Sequence, residues 1–222
     1  MRVSERLEKA LALLGTAETV ADVGADHGQL SLEILRRDIA KKVIVTDISA
    51  PSLKKAENLL FESGFGERAE FRIGDGLSVL KDGEADVLAI LGMGGSEIVK
   101  ILRDGVKGAE RLVLSPQHDS AAVREFVVSA GFRIIYDGTV RSKNKFYDLI
   151  KCERGADELT YEELNFGRSN VAVCGRDFTE YLGIIIGKHR EGRFRCGNTE
   201  DNIRFMRAAE ELYEKGRAGG NA

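Results

Sequence analysis

Carboxylates and glycines recur together at three places in this chain. In "ADVGADHGQLS" (residues 21–31), Asp22, Gly24, Asp26 and Gly28 occupy alternate positions, and His27 follows Asp26. The segment starts apolar, breaks at the glycines and resumes with apolar residues at helical spacing, which reads as strand, tight turn and helix. Such a turn lets backbone approach a ligand. A dinucleotide fingerprint would read GxGxxG. Here the third and sixth positions counted from Gly24 are Asp26 and Gln29. A pyrophosphate prefers backbone amides with no carboxylate beside them. The acid in this turn fits a ligand without phosphate and with positive charge, and it equally suits a plain turn that exposes Asp26 and His27.

The second place is Asp47, which ends the apolar run "KVIVTD" 25 residues after Asp22. A carboxylate there can accept both hydroxyls of a ribose, as an acid about 20 residues beyond the glycine turn does in many such folds. It also suits the start of a helix. The third is "GDG" (74–76), where Asp75 can accept from an adenine amino group while Gly76 lets backbone come close. A ribose, an adenine and a cationic arm together describe S-adenosylmethionine, whose ammonium and sulfonium match the acidic turn. Further along, "GMGG" (92–95) opens with Gly92, and no (Asp/Asn)-Pro-Pro-aromatic motif of exocyclic-amine methyltransferases stands there. These glycines make room for substrate or the methionine arm, or serve a helix-start loop. "SPQHD" (115–119) sets Gln117, His118 and Asp119 where they can hydrogen-bond a base, and Asp119 suits the N-cap of the next helix.

These residues need a sheet to bring them together. Leu7, Ala10, Leu11 and Leu14 repeat at helical spacing after Ser4, a candidate cap, and before Gly15. Strands are expected at 19–23, 42–47, 69–74, 86–91 and 111–115, with helices at 29–37, 51–63, 96–103 and 120–129. Continuous Val/Ile/Leu strands separated by helices imply a parallel sheet covered on both faces. "FRIIYDGTVR" and "KFYDLIKCE" follow without an intervening helix, so they pair antiparallel at one edge. The class is α/β: a Rossmann-like seven-stranded methyltransferase sheet over residues 1–155. Residues 156–222 read as a small helical C-terminal domain, with Thr199 capping a helix over 200–215. This tail looks too short to bury much core alone.

Composition narrows the function classes. No apolar run reaches the roughly 18–20 residues of a membrane span, and the charged amphipathic start lacks a signal-peptide pattern. Cys152, Cys174 and Cys196 form no CxxC pair, and the three histidines are scattered, so neither a disulfide frame nor a metal site is expected. A cytoplasmic monomer with reduced thiols follows. The net charge of −3 does not advertise a nucleic-acid binder, yet residues 186–207 hold six Lys/Arg against three acids. That patch can touch phosphates or form a solvated helix face.

"SERL", "ADVGADHGQLS", "GDGL", "ADVLAILGMGG" and "FYDLIKCE" resemble the bacterial TrmK family of tRNA (adenine-N(1))-methyltransferases, which act on adenine 22 of tRNA. The resemblance covers residues 4–153 and runs on more loosely through "NFGR". It implies a Rossmann-like domain, S-adenosylmethionine as methyl donor, tRNA as partner and a helical C-terminal domain that helps hold it. Carried over by position, Asp22, Gly24, Asp47, Asp75, Gly76 and Gly92 line the cofactor site, Asp26 is the catalytic candidate with His27 beside it, and Arg6 lies near the substrate entrance, with Gln117 a further substrate contact. Ser115-Pro116-Gln117 stands where the family commonly has Gln-Pro-Asn. Two other readings are a methyltransferase for another RNA site or a small molecule, and a non-catalytic, cofactor-sensing RNA-binding protein.

Overall fold

The computed structural model describes residues 3–219. Helix α1 (Glu5–Leu14) starts as expected, with the Ser4 hydroxyl accepting from the Leu7 N–H. The chain then alternates through β1 (Ala17–Val23), α2 (Gln29–Arg36), β2 (Ala40–Asp47), α3 (Ala50–Glu62) and β3 (Ala69–Ile73). It crosses back through β4 (Val87–Leu91), α4 (Gly95–Arg103), β5 (Arg111–Ser115) and α5 (Ser120–Ser129) to the hairpin β6 (Phe132–Ser142) and β7 (Lys145–Arg154). The sheet order is β3-β2-β1-β4-β5-β7-β6. β3, β2, β1, β4 and β5 are parallel, and β7 pairs antiparallel with both β5 and β6. This is the seven-stranded sheet the sequence predicts.

The apolar strands put one side-chain row on each face, as the pleat requires. Ala21, Val23, Leu88 and Ile90 pack under α4 and α5, and Val20, Val43, Val45 and Ala89 pack under α1, α2 and α3. Both faces are therefore covered, which a parallel sheet demands.

The tail forms α6 (Tyr161–Phe166), α7 (Arg168–Val173), α8 (Arg176–Arg190) and α9 (Thr199–Gly219). It holds more core of its own than its length suggests: Phe166, Phe178, Leu182, Ile185, Phe205 and Leu212 form a separate buried cluster between α6, α8 and α9. Helix α7 was not anticipated. The α9 cap lies one residue earlier than expected: the Asn198 side-chain oxygen accepts from the Glu200 and Asp201 N–H groups, while Thr199 is already helical.

The tail also closes the sheet. β6 is an edge strand, and unpaired N–H groups on an edge need partners. Tail side chains take four of them: Ile134 N–H donates to Asp157 (2.9 Å), Asp137 N–H to Ser169 (3.0 Å), Thr139 N–H to Asn170 (2.9 Å) and Arg141 N–H to Asp177 (2.8 Å). Beneath them, the fully buried Arg124 of α5 donates to Asp137 at 2.6 and 3.0 Å, to Asp148 at 3.0 Å and to the α6 carbonyls of Leu164 and Asn165. Burial alone would lower the Arg124 pKa, but the two carboxylates more than offset it and hold the guanidinium charged. Gly167 (φ +88°) lets the α6–α7 junction sit on this cluster, because a Cβ there would lie 2.8 Å from an Asp137 carboxylate oxygen.

Arg124→Met leaves Asp137 buried with no counter-charge. The variant should lose about 3–5 kcal/mol of stability, read as a lower urea midpoint, and limited proteolysis should cut first in the tail. A midpoint equal to that of the parent would show that the cluster is not what joins tail to sheet.

Candidate active site

The chain runs outward from β1 to β3 and then returns to β4 on the other side of β1. That reversal leaves a crevice beyond the carboxyl ends of β1 and β4, the place where open α/β sheets bind ligands. Its volume is about 490 Å3. Of the sequence-predicted residues, Gly24, Asp26, Asp47, Asp75, Gly76, Gly92, Arg6 and Gln117 all line it.

Asp47 organises the crevice floor. One carboxylate oxygen accepts the Ser49 N–H at 2.8 Å, and the other accepts the Asp26 N–H at 3.0 Å. The cap of α3 is Ser49, whose hydroxyl accepts from Ser52, so Asp47 is not spent on capping. A carboxylate offers about four acceptor sites, and two remain. The hold on Asp26 matters because that residue has a left-handed backbone (φ +50°), a conformation uncommon outside glycine. Its carboxylate meets His27 Nδ1 at 2.7 Å, and His27 Nε2 lies 3.3 Å from the Lys55 ammonium. An ammonium can only donate, which makes Nε2 the acceptor and Nδ1–H the donor to Asp26. His27 itself does not line the crevice. It opens, with Asp26, on an adjoining pocket of about 460 Å3.

The opposite wall comes from α1 and the loop after β5. Arg6 donates through Nε to the Ser115 hydroxyl (3.0 Å) and through a terminal nitrogen to the Ser115 carbonyl (3.3 Å), with its guanidinium 4.6 Å above the Tyr147 ring. No carboxylate pairs with it among the described residues, and burial pulls its pKa below the ordinary value against the opposing pull of Tyr147. Gln117 donates to the Gly92 carbonyl. Gly24 (φ +70°) takes a left-handed backbone that strains any side chain, and a Cβ there would also displace the Met93 methyl.

Three expectations change. Asp22 does not line the crevice: only 3% exposed, it lies beneath α2, accepts the Ser31 hydroxyl at 2.7 Å and borders the adjoining pocket that His27 and Asp26 open on. The pleat explains this, because Asp22 shares the face of Val20 while Ala21 and Val23 face the other way. Asp119 stands at the α5 N-cap but makes no capping bond, its carboxylate being turned to His118 Nδ1 at 2.9 Å. His118 lies outside the crevice. Met93 and Glu97 do line it, and neither had been singled out. Met93 sits inside the GMGG motif, and Glu97 follows in the first turn of α4, so only the position of that turn pointed to them.

The lining thus carries four carboxylates, Asp26, Asp47, Asp75 and Glu97, against one guanidinium, Arg6. Among the described residues no group of three or more potential ligands is placed to hold a metal ion, and no helix is long and apolar enough to cross a membrane.

A Rossmann-like sheet with an acidic crevice at its switch point describes the methyltransferase class. Residues 3–150 match the methyltransferase-domain family, and the chain belongs to that family. The TrmK resemblance is borne out as well. The chain is 29% identical over 168 residues to the tRNA (adenine(22)-N(1))-methyltransferase of Bacillus subtilis, covering 74% of this chain and 71% of that one. The crystal structure of the B. subtilis m1A22 tRNA methyltransferase TrmK superposes with a TM-score of 0.79 at 25% identity, covering 98% of each chain. Sp1610 of Streptococcus pneumoniae, solved in complex with S-adenosyl-L-methionine, superposes with a TM-score of 0.87 at 25% identity, covering 96% of this chain and all of that one.

Burial pushes the Asp22 carboxyl up to about 6, against the Ser31 hydrogen bond and with the Asp47 charge adding to the rise. The folded chain therefore holds this proton more tightly than the unfolded one. Stability should fall as pH rises from about 4 to about 6 and stay lower above that window. The effect is on the order of 2–3 kcal/mol. Asp22→Asn keeps an acceptor for Ser31 and carries no charge, so its unfolding free energy should be flatter across that window and higher than the parent's at pH 8. Urea titrations of both proteins at pH 4.5 and pH 8 test this, and parallel pH dependences would exclude Asp22 as the source.

Proposed function

We propose that the protein is an S-adenosylmethionine-dependent tRNA (adenine-N(1))-methyltransferase acting on adenine 22, in the cytoplasm. The observation that carries the reading is the crevice itself: four carboxylates and one guanidinium around a glycine-walled turn at the switch point. A phosphate-bearing cofactor would be repelled there, whereas a ligand with a sulfonium and an ammonium is favoured. The Gly24 turn and the free acceptor sites of Asp47 fit the group, and Asp75 and Gly76 extend the cradle to an adenine.

Bound S-adenosylmethionine supplies an electrophilic methyl group. The residues of this chain have mainly to align the partners and exclude water. Asp47 holds the donor's ribose while keeping the Asp26 loop in place. The adenine ring nitrogen would take the methyl with its own lone pair while the electron pair of the methyl–sulfur bond stays on sulfur, so the positive charge passes from donor to ring and no proton is released. Asp26 lies where its carboxylate can stabilise that charge, and His27 orients it. Arg6 borders the crevice and the adjoining pocket, and Gln117 stands across the crevice against the Gly92 carbonyl.

The tail supplies a basic surface. Arg190, Arg193 and Arg207 pair with Glu210, Glu191 and Glu211, and Arg204 stacks over Tyr161 at 3.6 Å. Lys188 and Arg195 make no ion pair among the described residues, and both are exposed. Exposed pairs are weak, so the three paired arginines can exchange carboxylates for tRNA phosphates, and Lys188 and Arg195 can meet phosphates directly.

Transfer of labelled methyl to an unmodified tRNA transcript, with 1-methyladenosine found by nucleoside mass spectrometry and lost when adenine 22 is replaced by guanine, tests the function. Asp26→Asn should keep donor affinity within a few fold and lower the single-turnover rate about a hundred- to a thousandfold. Normal turnover in that variant would remove Asp26 from the chemistry. Binding of tRNA should weaken steeply between 50 and 200 mM salt, and charge-neutral substitutions at Lys188 and Arg195 should flatten that slope. An unchanged slope would place the phosphate contacts elsewhere.

A further inference from the structure

We propose that the pocket between α1 and the start of α2 is the slot for the acceptor adenine, and that Gln29 reads the base there through its Hoogsteen edge. This rests on the methyltransferase reading above. The pocket, about 460 Å3, shares Arg6, Gly24, Asp26 and Leu91 with the larger crevice, so its occupant abuts whatever fills the crevice beside Gly24. At about 490 Å3 the crevice has room for a donor without help from its neighbour. Leu7, Leu30 and Leu91 give the second pocket apolar walls for the faces of a flat heterocycle, and Ser4, Arg6, Asp22, Asp26, His27 and Gln29 supply polar groups around its edge.

Gln29 is the first residue of α2, half-buried, and its side-chain amide makes no hydrogen bond among the described residues. A carboxamide offers one acceptor and one donor face in a plane. Adenine matches both at once, through its N6 amino group and N7. Guanine presents two acceptors along that edge and satisfies only the donor. The pairing also leaves ring nitrogen one uncovered, on the edge turned away from Gln29. A residue that read the Watson–Crick edge would instead cover the nucleophile. Asp26, shared by the two pockets, then lies at the point where the cationic product forms.

The test uses the full chain and two tRNA substrates, one ordinary and one carrying a single 7-deazaadenosine at the target position, which lacks N7. The unaltered enzyme should lose about 10- to 100-fold in kcat/KM on the 7-deaza substrate. Gln29→Leu should show a comparable loss on ordinary tRNA, little further loss on the 7-deaza substrate, and S-adenosylhomocysteine affinity within twofold of the parent by calorimetry. Fully additive losses would overturn the Hoogsteen contact. A parallel fall in S-adenosylhomocysteine affinity would assign the pocket to the donor and overturn the slot. Equal rates of the unaltered enzyme on both substrates would overturn the proposal without recourse to any variant. If no tRNA acquires 1-methyladenosine from the unaltered enzyme, the functional reading itself fails, and that outcome is visible before either comparison is made.

Discussion

The open edge of β6 is the constraint on which the architecture turns. A parallel sheet that ends in an antiparallel hairpin must leave one strand half paired, and the outward N–H groups of β6 have no strand to meet. The chain answers with side chains rather than a further strand. Asp157, Ser169, Asn170 and Asp177 each take one N–H, and Asn170 also donates to the Thr139 hydroxyl and the Phe166 carbonyl. Side-chain caps satisfy these N–H groups and leave them unavailable to an incoming strand. The same contacts tie α7 and α8 to the sheet.

Arg124 makes this closure cooperative. Its guanidinium joins α5, both strands of the hairpin and the end of α6 in one buried cluster. Asp137 accepts from Arg124 through its carboxylate and donates its backbone N–H to Ser169, so loosening the tail leaves unmet groups on the sheet side and the reverse holds too. The hairpin also carries Tyr147, on which the Arg6 guanidinium stacks. Through that stack, tail, hairpin and α1 all bear on the crevice wall, although the tail contributes no lining residue to it.

Much of this was legible in the sequence. The parallel sheet with its antiparallel edge hairpin followed from the apolar strand runs, and the crevice and eight of its residues from carboxylates and glycines at strand ends, because open α/β folds converge there. Asp22 was misplaced because its motif suggested a ligand contact while the two-residue period of β1 already sent it to the helix-covered face. Asp119 was misjudged because its φ of +56° turns the carboxylate toward His118 instead of the helix start. The edge caps were not legible at all. They are isolated polar residues in short helices and loops, with no periodicity, and only the neighbouring N–H gives each its meaning.

The crevice and the pocket beside it divide the electrostatic work. Asp47 ends β2 and Asp75 follows β3, while Arg6 stands on α1 with no carboxylate paired to it among the described residues. Arg6, Gly24, Asp26 and Leu91 are common to both cavities, so a donor in the crevice and an acceptor in the pocket would meet at the Gly24–Asp26 turn. Asp26 is held there by its backbone N–H, which donates to the Asp47 carboxylate, and through His27 by Lys55, so it is positioned from two other elements, β2 and α3. One support, Asp47, lines the crevice and the other, His27, lines the adjoining pocket, so a ligand in either cavity would bear on the position of Asp26 through one of them.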